Sequence, residues 1–316
     1  MSNLTTSNPL IMKKNLFLTA LVGAMVLTGC SKSEILETDL DRKAIGFENF
    51  MHRATRATEV TASTLQTNGF KVSARYNSTS WYFQNLEVSY ADSKYSTSYY
   101  WPESGTMNFY AVYPKQNIDN SLQFVYSNTD ANVDIVTASA TANCATYHNA
   151  NPAQQVALEF GHALTQVYFS AKLASTSYKC EVSKIEVICN KEATYTFGSG
   201  FGTPTTQNTY TYFSDAQNIT TTASAVIGSK AANSLMLIPQ SGATVKVYYT
   251  SIDATNNQTI SDFSTNSTCK SFTIPAAWLA GKTVKYDMTL PVGANPIEFT
   301  ATVTSWDEST SNIELN

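Results

Sequence analysis

The sequence predicts an all-β protein built as two stacked β-sandwiches, and three observations carry that expectation. Tyr, Thr, Ser, Val and Ile dominate where a helical protein would carry Ala, Leu, Glu and Lys, and these residues suit a pleated, half-buried surface. Aromatic residues make up 12% of the chain, with 18 tyrosines, against 14% charged residues. Short alternating runs bounded by Asn, Asp, Ser, Gly or Pro recur in two groups, and no run beyond one or two turns keeps a helical period. About 290 residues follow the leader, more than one small sandwich holds and enough for two.

At the amino end, Met12, Lys13 and Lys14 lead into an apolar run over 16–26 and then Leu27-Thr28-Gly29-Cys30. The lysines hold the start in the cytoplasm, and the run is too short for a permanent span. Small residues ahead of a free cysteine are what signal peptidase II and the lipid-transferring enzymes require. Residues 1–29 therefore read as a lipoprotein signal peptide and Cys30 as the lipidated mature end, outside the inner membrane. The first eleven residues carry no charge, which leaves Met1 and Met12 both open as the start.

Residues 31–41 are polar and acidic without an apolar period, which suits a tether. A first strand is expected over 44–51, with Ile45, Phe47 and Met51 on one face. Arg53 and Arg56 follow in a Thr/Ala-rich segment that would sit exposed and be easily cut. Residues 30–56 thus form a lipidated tether and first strand. An N-terminal sandwich is expected over 57–152, with strands at 69–76, 86–90, 107–113 and 122–126. The C-terminal sandwich, 153–316, opens with 156–164 and continues through 167–173, 182–189, 235–239, 245–250, 282–290 and 297–306. A Ser/Thr/Gly-rich loop is expected at 198–209.

The net charge of -4 and the lack of Lys/Arg clusters exclude nucleic acid as a partner. His52, His148 and His162 are scattered, with no Cys or carboxylate at ligand spacing, so neither a metal site nor a catalytic histidine is expected. No Gly-rich phosphate loop, nucleophile elbow or paired carboxylate occurs, so the chain reads as a non-enzyme without a cofactor. Glu159, Glu186 and Glu298 read as outward-facing strand positions, and His162 as structural. Beyond Cys30, the cysteines are Cys144, Cys180, Cys189 and Cys269, an even number that permits disulfides in an exported protein. Along one strand Cys180 and Cys189 would lie roughly 30 Å apart, too far to bridge unless the chain turns between them. Cys189 continues the inward alternation of Ile185 and Val187 and reads as a buried free thiol. Trp81, Trp101, Trp278 and Trp306, with Tyr99-Tyr100 and Tyr248-Tyr249, read as packing residues ahead of a glycan platform.

A series of segments recurs in a recognisable order. Ile45 and Phe47 precede Arg53-Ala54, then come Gly69-Phe70-Lys71-Val72 and Trp81-Tyr82-Phe83-Gln84-Asn85. Tyr100-Trp101-Pro102 is followed by Met107-Asn108-Phe109-Tyr110-Ala111-Val112-Tyr113-Pro114. The second half adds Leu158-Glu159-Phe160-Gly161-His162-Ala163-Leu164 and Leu237-Ile238-Pro239-Gln240. It ends with Trp278-Leu279-Ala280-Gly281-Lys282, Tyr286 and Phe299-Thr300-Ala301-Thr302-Val303-Thr304-Ser305-Trp306. Together they resemble the fimbrillin family of Bacteroidales, the subunits of type V pili, over nearly the whole exported chain. The resemblance implies two transthyretin-like β-sandwich domains in tandem and export as a lipoprotein held at the outer membrane through lipid on Cys30. It also implies trimming by an arginine-specific protease and assembly with other pilin subunits, in a homo- or hetero-polymer, into an adhesive fimbria at the cell surface.

On that footing Ile45, Phe47 and Met51 mark a removable strand, and Arg53 and Arg56 are the processing sites, Arg53 first by its position. Removing the strand would open a sheet edge that another subunit's strand can fill. The candidate donor lies at the carboxyl end, where Ile297, Phe299, Ala301 and Val303 alternate with polar residues and Ile313 and Leu315 alternate again. The stretch 297–306 reads equally well as the last strand of the second domain. The alternative is a monomeric surface lipoprotein or tip adhesin that binds a glycan or host ligand.

Overall fold

The computed structural model describes residues 42–51, 59–275 and 277–306. Residues 42–316 form one compact unit. Its first part supplies β1 (Ala44–Phe50), β2 (Phe70–Tyr76), β3 (Ser80–Val88), β4 (Tyr90–Ala91), β5 (Lys94–Tyr100), β6 (Thr106–Tyr113), β7 (Gln123–Ser127), β8 (Val136–Asn143), β9 (Val156–Glu159) and β10 (Gly161–His162). Two sheets result, one ordered β4-β5-β1-β9 and the other β10-β8-β6-β2-β3. Their facing side chains, among them Ile45, Phe47, Phe70, Val72, Phe109 and Leu158, make one buried core.

The second part supplies β11 (Thr165–Leu173), β12 (Tyr178–Thr196), β13 (Gly200–Phe201), β14 (Thr205–Phe213), β15 (Gln217–Ile219), β16 (Ala225–Val226), β17 (Leu235–Leu237), β18 (Thr244–Asp253), β19 (Thr259–Asp262), β20 (Lys270–Thr273), β21 (Lys282–Leu290) and β22 (Glu298–Ser305). One sheet runs β16-β11-β21-β22, with β17 also on β11. The other is organised by β12 and β18. A second core lies between them, and a third cluster, including Val112, Phe124, Leu164, Met236 and Trp306, joins the two sandwiches. The fold is therefore all-β, as the composition predicts, and among the described residues the only helices are the short α1 (Ala62–Asn68), α2 (Cys144–His148) and α3 (Lys230–Asn233).

Local chemistry accounts for these elements. In β21 strict alternation buries Val284, Tyr286, Met288 and Leu290. In β12 the buried set switches phase, from Tyr178, Cys180 and Val182 to Ile185, Val187 and Cys189. A register shift between Val182 and Lys184 against β18 inserts the extra residue that causes it. Helix α1 starts at a reciprocal cap, in which the Thr61 hydroxyl accepts from the Thr64 amide at 3.0 Å and the Thr64 hydroxyl accepts from the Thr61 amide at 3.2 Å.

The change-over between sandwiches differs from the boundary expected at 152/153. Strands β9 and β10 complete the two sheets of the first sandwich, while β7 pairs with the far end of β12 in the second. The reason is length, because β12 runs 19 residues and its last turn of ladder, Glu192 to Thr196, overhangs its own sandwich. The expected loop at 198–209 likewise contains β13 and the start of β14, whose polar residues pair with β12.

Cys144, Cys180, Cys189 and Cys269 are all free thiols, and the first three are buried. Burial pushes the thiols of Cys180 and Cys189 up to about 12 and raises that of Cys144, so thiolate is scarce at neutral pH. Alkylation of the folded chain at mildly alkaline pH, read by peptide mass spectrometry, is expected to modify Cys269 and spare the other three until denaturant is added.

Candidate functional site

The most consequential arrangement surrounds β1. It lies inside its sheet and not at an edge, antiparallel to β5 through Ala44–Tyr100, Gly46–Ser96 and Phe47–Tyr95. On its other side it is parallel to β9, from Phe47–Val156 to Phe50–Glu159. Bonds just beyond the ladder secure both ends: the Trp101 amide donates to the Lys43 carbonyl at 3.0 Å, and the Phe160 amide to the Phe50 carbonyl at 2.9 Å. The Thr97 hydroxyl donates to the Ile45 carbonyl at 3.0 Å, and the Asn49 amide donates to the Tyr95 hydroxyl at 2.9 Å. Burial, then neighbouring Tyr90, raises the Tyr95 phenol above its usual range, so it stays protonated and neutral beside Asn49.

Ile45 and Phe47 are fully buried. The Phe47 ring meets Phe109 edge-on at 5.2 Å and Phe70 at 6.4 Å. Met51, just past the strand, is half-buried against the same core. At about 1.5 to 3 kcal/mol each, Ile45 and Phe47 contribute roughly 3 to 6 kcal/mol to holding the strand. Among the described residues β9 has no ladder partner other than β1. Without β1, then, one long gap would separate β5 from β9.

Arg53, Arg56, His52 and Cys30 lie outside the described residues. On the far side of the arginine segment the chain is fixed by buried polar contacts. The Gln166 side-chain amide donates to Glu59 Oε1 at 2.7 Å and its own oxygen accepts from Thr283 at 3.0 Å. The Val60 amide donates to Asp134 Oδ2 at 3.0 Å, and the same oxygen meets His162 Nδ1 at 2.8 Å. His162 stacks on Trp306, with ring centroids 4.2 Å apart and planes 6° from parallel. His162 is thus a junction residue between the sandwiches. Sequence reasoning missed Glu59, Asp134 and Gln166, although an acid within Val133-Asp134-Ile135-Val136 is a signal, because a buried carboxylate needs partners.

At the other end, β22 is the edge strand beside β21, paired from Thr289–Glu298 to Lys282–Ser305. The apolar alternation expected there is only partly inward. Ile297 is buried and Phe299 half-buried against Phe272, whereas Ala301 and Val303 are exposed, Val303 by 55%. Among the described residues the strand is the outermost of its sheet, and its face beyond Phe299 is exposed. Ile313 and Leu315 lie outside the described residues. The structure does not bring the candidate donor residues together with β1; their strands belong to different sheets.

The tryptophans are committed to packing, as are Tyr248 and Tyr249, whereas Tyr99 and Tyr100, expected to pack, are exposed at the end of β5. Trp101, Trp278 and Trp306 are buried, and half-buried Trp81 is covered by the Arg75 guanidinium 4.4 Å from its ring centroid. His148 faces the Trp101 carbonyl at 3.2 Å. Glu159 and Glu298 point outward as expected, while Glu186 is half-buried, accepting from the Tyr248 hydroxyl at 2.6 Å and pairing with Lys184 at 3.0 Å.

Comparison with known proteins agrees with this architecture. The profile of the family described as fimbrillin-like matches residues 55–306. No curated protein matches the chain. A solved fimbrial protein from Bacteroides vulgatus ATCC 8482 aligns at 14% identity over 84% of this chain and 99% of its own, with a TM-score of 0.51. A candidate cell adhesion protein from Parabacteroides distasonis ATCC 8503 aligns at 8% identity over 84% of this chain and 98% of its own, with a TM-score of 0.50. At these identities the likeness is one of fold.

The packing around β1 sets the expected effect of its anchor. Phe47→Ala should destabilise the uncut protein by about 3 to 5 kcal/mol, while Glu48→Ala, one exposed position on, should stay within about 0.5. Equilibrium urea denaturation of the two variants checks both.

Proposed function

Because this chain belongs to the fimbrillin-like family, we propose that it is a structural subunit of a surface fimbria, a type V pilus, polymerised by donor-strand exchange. It is a structural protein and not an enzyme. The observation that carries the proposal is the position of β1: interior to its sheet, bonded along both edges, and joined to the body only through the segment holding Arg53 and Arg56.

The chain is exported with lipid on Cys30, which anchors it to the outer membrane by its tether. There β1 completes the first sandwich and occupies a groove that would otherwise expose unpaired main chain. An arginine-specific protease cuts after Arg53 or Arg56. The strand is then held only by its non-covalent contacts, chiefly its ladders and the burial of Ile45 and Phe47, and its high effective concentration is lost. An extended end of another subunit adds to the vacated edges by β-augmentation. Groove and donor lie on different sheets, so the contact is head-to-tail and repeats without closing, which yields a fibre. Ile297, Phe299, Ala301 and Val303 are candidates to serve as this chain's own donor for a neighbour, together with Ile313 and Leu315. The edge position of β22 and its exposed Ala301 and Val303 support that assignment, because the middle of the strand detaches with little loss of burial.

The test is processing and assembly on the cell surface. Wild-type protein is expected to begin after Arg53 or Arg56 by N-terminal mass spectrometry and to give a boiling-sensitive ladder on gels. The double variant Arg53→Ala/Arg56→Ala should remain a single, lipid-bearing band. A wild-type surface form that begins at Cys30 and runs as a lone band would overturn the proposal in favour of a monomeric binder.

A further inference from the structure

We infer that the place held by β1 is a selective site: it accepts a strand reading large apolar, then a residue without bulk, then large apolar, and it rejects this chain's own carboxyl-terminal segment. The inference rests on the strand-exchange reading above and adds which partner that exchange admits, namely a different subunit.

Ile45, Gly46 and Phe47 are buried in succession. Two of them fill the core, and Gly46 faces the opposite side. A Cβ built on Gly46 would lie 3.3 Å from the Tyr95 carbonyl oxygen and 3.6 Å from Gln155 Cγ. The closer atom is main chain and has little room to yield. Tyr95 is paired in β5 between β1 and β4, its ring packs 4.7 Å from Phe70 and 5.1 Å from Tyr90, and its hydroxyl is held by Asn49. Alanine at this slot needs a shift of a few tenths of an ångström. A branched or acidic side chain must in addition displace Gln155, which roofs the slot.

The candidate donor sequences fail this requirement in every useful register. Residues 297–316 contain no glycine. Seating Ile297 and Phe299 on the Ile45 and Phe47 sites puts Glu298 in the slot. Phe299 with Ala301 puts Thr300 there, Ala301 with Val303 puts Thr302 there, and Ile313 with Leu315 puts Glu314 there. Reversing the strand direction leaves the middle residue the same. Moving Ala301 itself into the slot seats Thr300 and Thr302 in the two apolar sites, which forfeits the burial that holds the strand. The groove therefore calls for a strand from another chain, with Gly or Ala between two large apolar residues, and this subunit stands next to a different one in the fibre.

The experiment uses the full chain cut by an arginine-specific protease and labelled synthetic peptides, with exchange into the protein followed by fluorescence anisotropy. A peptide of residues 43–51 is expected to exchange in. The same peptide carrying Gly46→Val, and native peptides 297–306 and 309–316, should bind about tenfold or more weakly, and Glu314→Gly in the last should restore binding. If 43–51 exchanges while the Gly46→Val peptide or a native carboxyl-terminal peptide binds equally well, the selectivity is refuted and strand exchange stands. If 43–51 itself never enters the cut protein, the exchange reading fails and the selectivity falls with it.

Discussion

Main-chain pairing along both edges of β1 is the constraint on which the first sandwich depends. An edge strand can be lost with one ladder. An interior strand takes two with it, and here one of those two is the sole ladder partner of β9 among the described residues. The core amplifies the effect, because Phe47 bridges Phe70 on β2 and Phe109 on β6, in the opposite sheet. Backbone satisfaction and apolar burial therefore fall on the same seven residues, 44–50. Whatever occupies that place must meet both demands at once, since a buried amide or carbonyl left unpaired costs about 1 to 3 kcal/mol.

The body is also anchored at a point that does not involve this strand. Immediately beyond the arginine segment, Glu59 and Val60 are tied into buried contacts with Gln166 and Asp134, and Asp134 also holds His162 against Trp306. Residues from both sandwiches meet there. The body therefore keeps its own anchor on the side of the segment away from β1, and the second core contains no residue of β1 at all. The body's anchor beyond the arginine segment thus uses contacts in which β1 takes no part.

Much of the architecture was legible in the sequence where burial enforces strict alternation. Residues 282–290 and 107–113 read as strands because every second side chain enters a core. Strand β5 was not legible, since in Lys94-Tyr95-Ser96-Thr97-Ser98-Tyr99-Tyr100 only Tyr95 is buried and no period survives. Strand β14 hid in a polar loop for the same reason: its first half is exposed and paired only through its backbone. The segment 44–51 was recognisable as a strand from Ile45 and Phe47. Its parallel partner was not, because parallel pairing joins residues over a hundred positions apart through main-chain atoms that carry no side-chain signature. The apolar alternation after Ile297 was visible, yet the exposure of Ala301 and Val303 depends on β22 being outermost, a fact of topology and not of sequence.

These features together address the hazard of an open sheet edge during export. A groove flanked by two unpaired strands and lined by aromatic rings would offer its open main chain to extended segments that meet it. Carrying a filler in the same polypeptide suppresses that risk without a separate chaperone, because the tethered strand outcompetes strands arriving from solution by its effective concentration. On the same proposal, the tether would forbid assembly while it is intact. In the proposed exchange, a cut would change the competition from intramolecular to bimolecular, and an incoming strand would prevail by mass action and by the quality of its fit. A slot that favours a small residue would sharpen that fit, so that on the proposed reading proteolysis sets the moment of assembly and packing around Gly46 the identity of the neighbour.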